Sequence, residues 1–117
     1  MKIRAENDFT VVWELMFDEI TPRDMTGVFG EQLMLRRTNV AQEIQFTRVA
    51  NVIQMEFSPN ITSVLGDYSI EYRFNQPDPS FLKGYKGLAV DADAFTIVPK
   101  TAQAEKINNI NIKTVLK

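Results

Sequence analysis

Asp67-Tyr68-Ser69-Ile70-Glu71-Tyr72-Arg73-Phe74 sets Tyr68, Ile70, Tyr72 and Phe74 at every second position, with Ser69, Glu71 and Arg73 between them. Side chains of an extended chain alternate between two faces, so this octapeptide predicts a strand with one face buried and one in water. Its aromatic and β-branched content suits a pleated, half-buried surface. Toward the N-terminus, Phe9–Phe17 has apolar residues at all its odd positions and predicts a long strand, with Lys2–Ala5 as a short edge. Asp18–Met25, which holds Thr21-Pro22-Arg23-Asp24, breaks the alternation and reads as a turn or loop. Phe29–Arg37 is a further strand with Phe29, Leu33 and Leu35 in phase. Glu31 is out of character there, and the good helix formers of Glu31–Arg37 leave a short helix open as the alternative. Gln42–Arg48, with Ile44 and Phe46 inward, is separated only by Val49-Ala50 from Asn51–Phe57, with Ile53, Met55 and Phe57 inward. So short a gap implies a hairpin, with Asn51 in the left-handed turn position.

Toward the C-terminus, Pro77 and Pro79 lack backbone donors and end the strand, giving a loop that runs to about Gly84 or Gly87. Gly87–Val98 is extended again. Leu88, Val90, Ala92 and Ala94 share one parity and Phe95 and Ile97 the other, which predicts a bulge or a change of sheet near Asp93-Ala94. Six to seven strands with little helix predict an all-β fold, an immunoglobulin-like antiparallel β-sandwich over residues 1–99. Residues 100–117 then form a linker or an oligomerisation and strand-addition tail. Leu65–Ile70 is similar to the tyrosine corner of immunoglobulin-like domains, with Ile70 where those domains often carry a disulfide cysteine; a plain core tyrosine at a strand start is the alternative reading of Tyr68.

The 117 residues hold one domain, and a composition of 44% hydrophobic and 24% charged residues is that of a globular chain rather than a disordered one. Cysteine and histidine are both absent, which excludes thiol nucleophiles, imidazole bases and Cys/His zinc sites. No catalytic, cofactor or metal residue is assigned, and a non-enzyme is expected. Net charge is −2, and residues 1–58 carry 6 basic and 9 acidic residues against 7 and 6 in the remainder, so neither half suits a phosphate backbone. No apolar run approaches a membrane span or the core of a secretory signal, so neither nucleic acid nor membrane is an expected partner, and the chain is expected to begin in a cytoplasm.

Several short constellations carry chemistry on paper. Asp91 and Asp93, two apart on a strand, would stand about 7 Å apart on one face, a spacing suited to paired carboxylates or calcium, although a solvated strand edge is the commoner meaning. Lys83-Gly84-Tyr85-Lys86-Gly87 lacks the spacing and the Ser/Thr of a phosphate-binding loop and reads as a turn. Phe81 and Tyr85 in that loop are candidates for stacking on a sugar ring or a partner surface, against the commoner role of packing over a sheet end. Asn60-Ile61-Thr62 matches a glycosylation acceptor by chance. Lys106–Lys117 has three lysines and no acid, with Ile107, Ile110, Ile112 and Val115 among asparagines. These four are the candidate partner-binding residues, with Ile110 and Ile112 in strand phase for adding to a neighbour's sheet, against a disordered extension.

Four segments occur in order: Asn7-Asp8-Phe9, Asn51-Val52-Ile53, Gly66-Asp67-Tyr68 and Asp93-Ala94-Phe95-Thr96-Ile97-Val98-Pro99. Together, over about residues 1–99, they resemble the N-terminal immunoglobulin-like domains of phage or prophage tail and baseplate-associated proteins of Bacteroides-type gut bacteria, which are similar to the upper-baseplate attachment domain. Glu6 and Ala50 stand where that pattern leads one to expect glycine. The resemblance implies a structural module without catalytic residues. It would dock tail components, with other phage structural proteins as partners, in a homo-oligomer within a virion assembled in the bacterial cytoplasm. The alternative is a carbohydrate-binding accessory module that uses Phe81 and Tyr85. A small carboxylate-dependent hydrolase working through Asp91 is a distant third.

Overall fold

A computed structural model describes residues 1–5, 7–62, 64–99, 101 and 108–117. Among them are nine strands and no helix: β1 (Lys2–Arg4), β2 (Phe9–Met16), β3 (Phe29–Arg37), β4 (Val40–Ile44), β5 (Thr47–Val49), β6 (Val52–Phe57), β7 (Gly66–Pro77), β8 (Tyr85–Val98) and β9 (Asn109–Val115). They form two sheets, β1-β8-β7-β3-β4 and β5-β6-β2-β9, packed as a sandwich. The count exceeds the expected six to seven because the tail adds a strand and the Gln42–Arg48 run is divided. β4 ends at Ile44 in the first sheet, Gln45 and Phe46 cross between layers, and β5 starts at Thr47 in the second. Most pairings are antiparallel, but β1 lies parallel to β8 and β9 parallel to β2, so the sandwich is not purely antiparallel.

The alternation that predicts β7 is realised fully, for Tyr68, Ile70, Tyr72 and Phe74 all lie in the core. They face Phe9, Val11, Trp13 and Leu15 of β2 and Ile53, Met55 and Phe57 of β6 in one apolar cluster. Each fully buried large side chain contributes about 1.5–3 kcal/mol relative to exposure. The phase change in β8 is a bulge. Tyr68 pairs with Phe95 and Ser69 with Asp93, so Ala94 is the extra residue, and beyond it the inward parity switches to Phe95 and Ile97. Tyr68 makes the hydrogen bond of a tyrosine corner, its hydroxyl donating to the Val64 carbonyl at 2.6 Å, which is consistent with the immunoglobulin-like arrangement.

β3 is a strand, with Leu33 and Leu35 buried against β7; tertiary pairing on both sides overrides the helix propensity of its residues. The β5–β6 hairpin turns at Ala50-Asn51, but the left-handed residue is Ala50, at φ 52, and not Asn51. Asn51 is instead buried, with its side-chain amide donating to the Leu15 carbonyl at 2.9 Å, so it ties the hairpin to β2. Glycine is the residue that adopts such a φ without strain.

The tail differs most from expectation. β9 pairs with β2 of its own chain from Thr10↔Asn109 to Met16↔Val115, and Ile110 lies in the core. The Trp13 indole donates to Thr114 Oγ1 at 2.8 Å, and the Leu116 amide donates to the Met16 carbonyl at 2.8 Å. The sandwich therefore extends beyond residue 99, and residues 109–115 are one of its strands.

Candidate functional site

One end of the sandwich gathers the β2–β3 loop, the β5–β6 turn and the β7–β8 hairpin. The hairpin loop is fixed by its own chemistry. Pro77 stops β7, and Asp78 Oδ1 then accepts from the Ser80 amide at 3.0 Å and the Ser80 hydroxyl at 2.6 Å. Asp78 N donates to the Gly84 carbonyl at 2.9 Å and Gly84 N to the Phe81 carbonyl at 2.9 Å, with Gly84 at φ 79. Lys86 Nζ lies 3.6 Å from Asp78 Oδ2. The Ser80 hydroxyl, then the Ser80 amide and the Lys86 ammonium, hold the Asp78 carboxyl below the usual aspartate range. The β2–β3 loop repeats the device: Asp24 Oδ1 accepts from the Thr26 amide at 2.9 Å and the Thr26 hydroxyl at 2.6 Å, which lowers the Asp24 carboxyl too. Internal hydrogen bonds of this kind give a loop a fixed shape without burying it.

The shape presents apolar surface. Leu82 is completely exposed, Phe81 is 49% exposed and Phe29 44% exposed. Phe29 and Tyr85 meet edge to face, with ring centroids 5.1 Å apart. A groove of about 770 Å³ runs beside them, with Phe81, Leu82, Tyr85 and Leu88 as its apolar lining and Lys83 and Lys86 as its cationic part. The aromatic pair singled out in the sequence, Phe81 and Tyr85, thus shares one groove. Phe29, expected inward from its phase, is a correction: a register shift between Phe29 and Gln32, with Gly30 at φ 63, turns it out of the core. Leu82 escaped sequence reading; its signal was an apolar dipeptide, Phe81-Leu82, inside a Pro- and Gly-flanked loop.

The tail residues do not form one surface. Ile110 is in the core, Ile112 is half-buried on the inner face, and Val115 points outward at 48% exposure. Ile107 lies outside the described residues. Pairing with β2 commits Ile110 to its own chain, a correction to its reading as a contact for a partner. Asp91 and Asp93 both sit exposed on the outer face of β8, and among the described residues no three acidic side chains gather as metal ligands. Thr62 is buried, its hydroxyl donating to the Ser58 carbonyl at 3.1 Å, so the residues of the acceptor-like triplet are spent on a turn.

Two polar clusters brace the sandwich. Glu31 accepts through Oε1 from both Arg48 Nε and the Tyr72 hydroxyl, linking β3 and β7 of one sheet to β5 of the other. Burial alone would push the Glu31 carboxyl up, but Arg48 and Tyr72 outweigh it and hold Glu31 below the ordinary glutamate range. Burial, then the Glu31 carboxylate, pushes the Tyr72 hydroxyl above its ordinary range. This explains the charged residue inside an apolar phase. At the other cluster Arg23 donates from Nε to the Leu116 carbonyl at 2.9 Å and from Nη2 to Gln76 Oε1 at 2.8 Å, and its guanidinium lies 5.3 Å from the Phe74 ring centroid. The named groups of both clusters hydrogen-bond within the chain.

Comparison of the chain with known family models, curated proteins and solved structures finds no match.

Proposed function

We propose that the chain is a non-enzymatic structural docking module of a phage or prophage tail, of the baseplate type, and that its β7–β8 end seats on a neighbouring tail protein. One observation carries the docking part: a hydrogen-bonded loop holds Leu82 and Phe81 out in solvent beside Phe29 and Tyr85. Ordering costs at an interface are lower when the contact residues are already fixed, and apolar anchors ringed by polar groups are what such interfaces use. The four-segment resemblance supplies the tail setting, with the virion as its location.

A sugar would need an open aromatic face with hydrogen-bonding groups around it. Tyr85 already meets Phe29 edge to face, and the apex residue is aliphatic Leu82, so a protein surface suits the groove better. The test is co-expression with the products of the neighbouring reading frames. A tail protein should co-purify with the wild type and be lost with Leu82→Asp. Absence of binding by the wild type, or unchanged binding by Leu82→Asp, overturns the reading. Glycan binding abolished by Tyr85→Ala would replace it with the carbohydrate-binding one.

A further inference from the structure

We propose that two copies of this chain join edge to edge, β9 of each adding antiparallel to the free part of β8 of the other, so that both sheets run on through the dimer. This deepens the docking-module reading by identifying the contact of its homo-oligomer, and it involves none of the β7–β8 loop residues.

Among the described residues, both edges are unpaired in the single chain. In a strand, the N–H and C=O of one residue point to the same side, and alternate residues point to opposite sides. On β9 the even residues bond to β2: Thr10 N donates to the Asn108 carbonyl and Leu116 N to the Met16 carbonyl. Asn109, Asn111, Lys113 and Val115 therefore turn their backbone groups to the outer edge, and all of them are exposed. On β8, β1 covers only Thr96, Ile97 and Val98. Below the Ala94 bulge the outer edge belongs to Gly87, Ala89, Asp91 and Asp93, each exposed. Among the described residues no strand pairs with either stretch. β8 thus leaves uncovered, from Gly87 to Asp93, a length equal to the 7 residues of β9.

The two edges are chemically complementary. The exposed side of β9 has Lys113 and no acid, whereas the matching side of β8 has Asp91 and Asp93 and no base. Setting Lys113 opposite Asp91 of the second copy also sets Asn111 opposite Asp93 and Val115 opposite Ala89. On the inner face the same register sets Ile112 opposite Ala92 and Leu116 opposite Leu88. These four are among the hydrophobic residues that the single chain leaves only partly buried against its core. A shift by two residues would keep Lys113 against an acid, Asp93, but would set Val115 against Asp91 and carry Asn111 to Phe95, beyond the free stretch of β8, so the first register fits the two edges better.

The fold supplies the geometry. A two-fold axis along the strands keeps each residue at its own height, so β8 and β9 must already stand level across the sandwich. They do at both ends. Phe9, adjacent to the Thr10↔Asn109 pair, meets Phe95 at 4.8 Å between ring centroids, and Arg23 bridges Leu116 to Gln76, the residue paired with Lys86. Joining edges in this way also removes two exposed strand edges that would otherwise recruit other chains.

Light scattering on the full chain tests the proposal, the expected particle having twice the 13.4 kDa chain mass. Lys113→Asp and Asp91→Lys should each weaken the dimer by roughly tenfold or more, because each sets like charges face to face. The double variant should regain it. A chain that stays monomeric at high concentration overturns the proposal, and so does a dimer indifferent to either single reversal or unrescued by the double one. Circular dichroism checks that each variant folds; both positions are exposed. Since the chain has no cysteine, Ile112→Cys in one copy mixed with Ala92→Cys in another should give a disulfide-linked dimer if the register is right, and none if it is wrong. Leu82→Asp should leave all of this unchanged while abolishing tail-protein binding, so failure of the dimer and failure of the docking reading are separate results.

Discussion

The two ends of this sandwich are built from the same kinds of residue and put them to opposite use. At one end Phe9, Phe57, Tyr68 and Phe95 interlock: Phe9 stacks on Phe57 at 5.2 Å, Phe95 meets Phe9 edge-on at 4.8 Å, and Tyr68 stacks on Phe95 at 5.1 Å. All four are buried. At the other end Phe81 and Tyr85 line one groove with the exposed Leu82, Phe29 meets Tyr85 edge-on, and the rings are left partly or half in water. The closed end has both sheets contributing rings across the gap. The open end has only the first sheet, since Phe29 and Tyr85 come from β3 and β8 and the rest from the β7–β8 loop. Aromatic content alone does not tell core from contact surface; what decides is whether a second layer faces the rings.

The comparison can be broken most forcefully at the closed end. Phe95→Ala should cost about 3–5 kcal/mol by urea denaturation, as for other large core truncations; a loss below about 1 kcal/mol would mean that this end is not packed as described. Between the ends, Glu31→Gln should cost about 1–2 kcal/mol at neutral pH, because Arg48 and the Tyr72 hydroxyl lose a charged acceptor. The sign with pH follows from the lowered Glu31 carboxyl: its stabilisation is present above its unfolded value, near 4.5, and is lost as pH falls through the lower folded value. Wild type and Glu31→Gln should therefore converge in stability in acid, and parallel curves down to pH 3 would count against the bridge.

At the open end the effects shrink. Ala50→Gly should raise stability by about 0.5–1 kcal/mol, since glycine relieves the left-handed strain at φ 52; thermal unfolding would show it as a small rise in Tm. Leu82→Asp should move stability by no more than about 0.5 kcal/mol. A large loss there would place Leu82 inside the fold and remove it as a contact residue.

The sequence is most readable where one face is wet. In β7 and β2 alternation maps directly onto burial, and even the Asp93-Ala94 bulge shows as a break of parity. The tyrosine corner is visible as well, because it needs only a tyrosine at a strand start. Other features hide for physical reasons. β9 shows Ile110 and Ile112 in strand phase, but no local signal says whether such a strand joins a neighbour's sheet or its own, and only the pairing with β2 decides it. The division of Gln42–Arg48 depends on which sheet each half joins, and no local period records that. The open end is half legible. Phe81 and Tyr85 stand out as loop aromatics, while Leu82 and Phe29 depend on a hairpin shape and a register shift set by long-range pairing.

The Trp13 to Thr114 hydrogen bond joins residues 101 positions apart. On the ribosome, β2 therefore emerges long before the strand that will lie beside it, and until then the edge of β2 that faces β9, with the Trp13 indole N–H, lacks those partners. A nascent chain halted before residue 109 would keep that flank bare. The packing along that flank is thus completed only when residues 109–115 are in place.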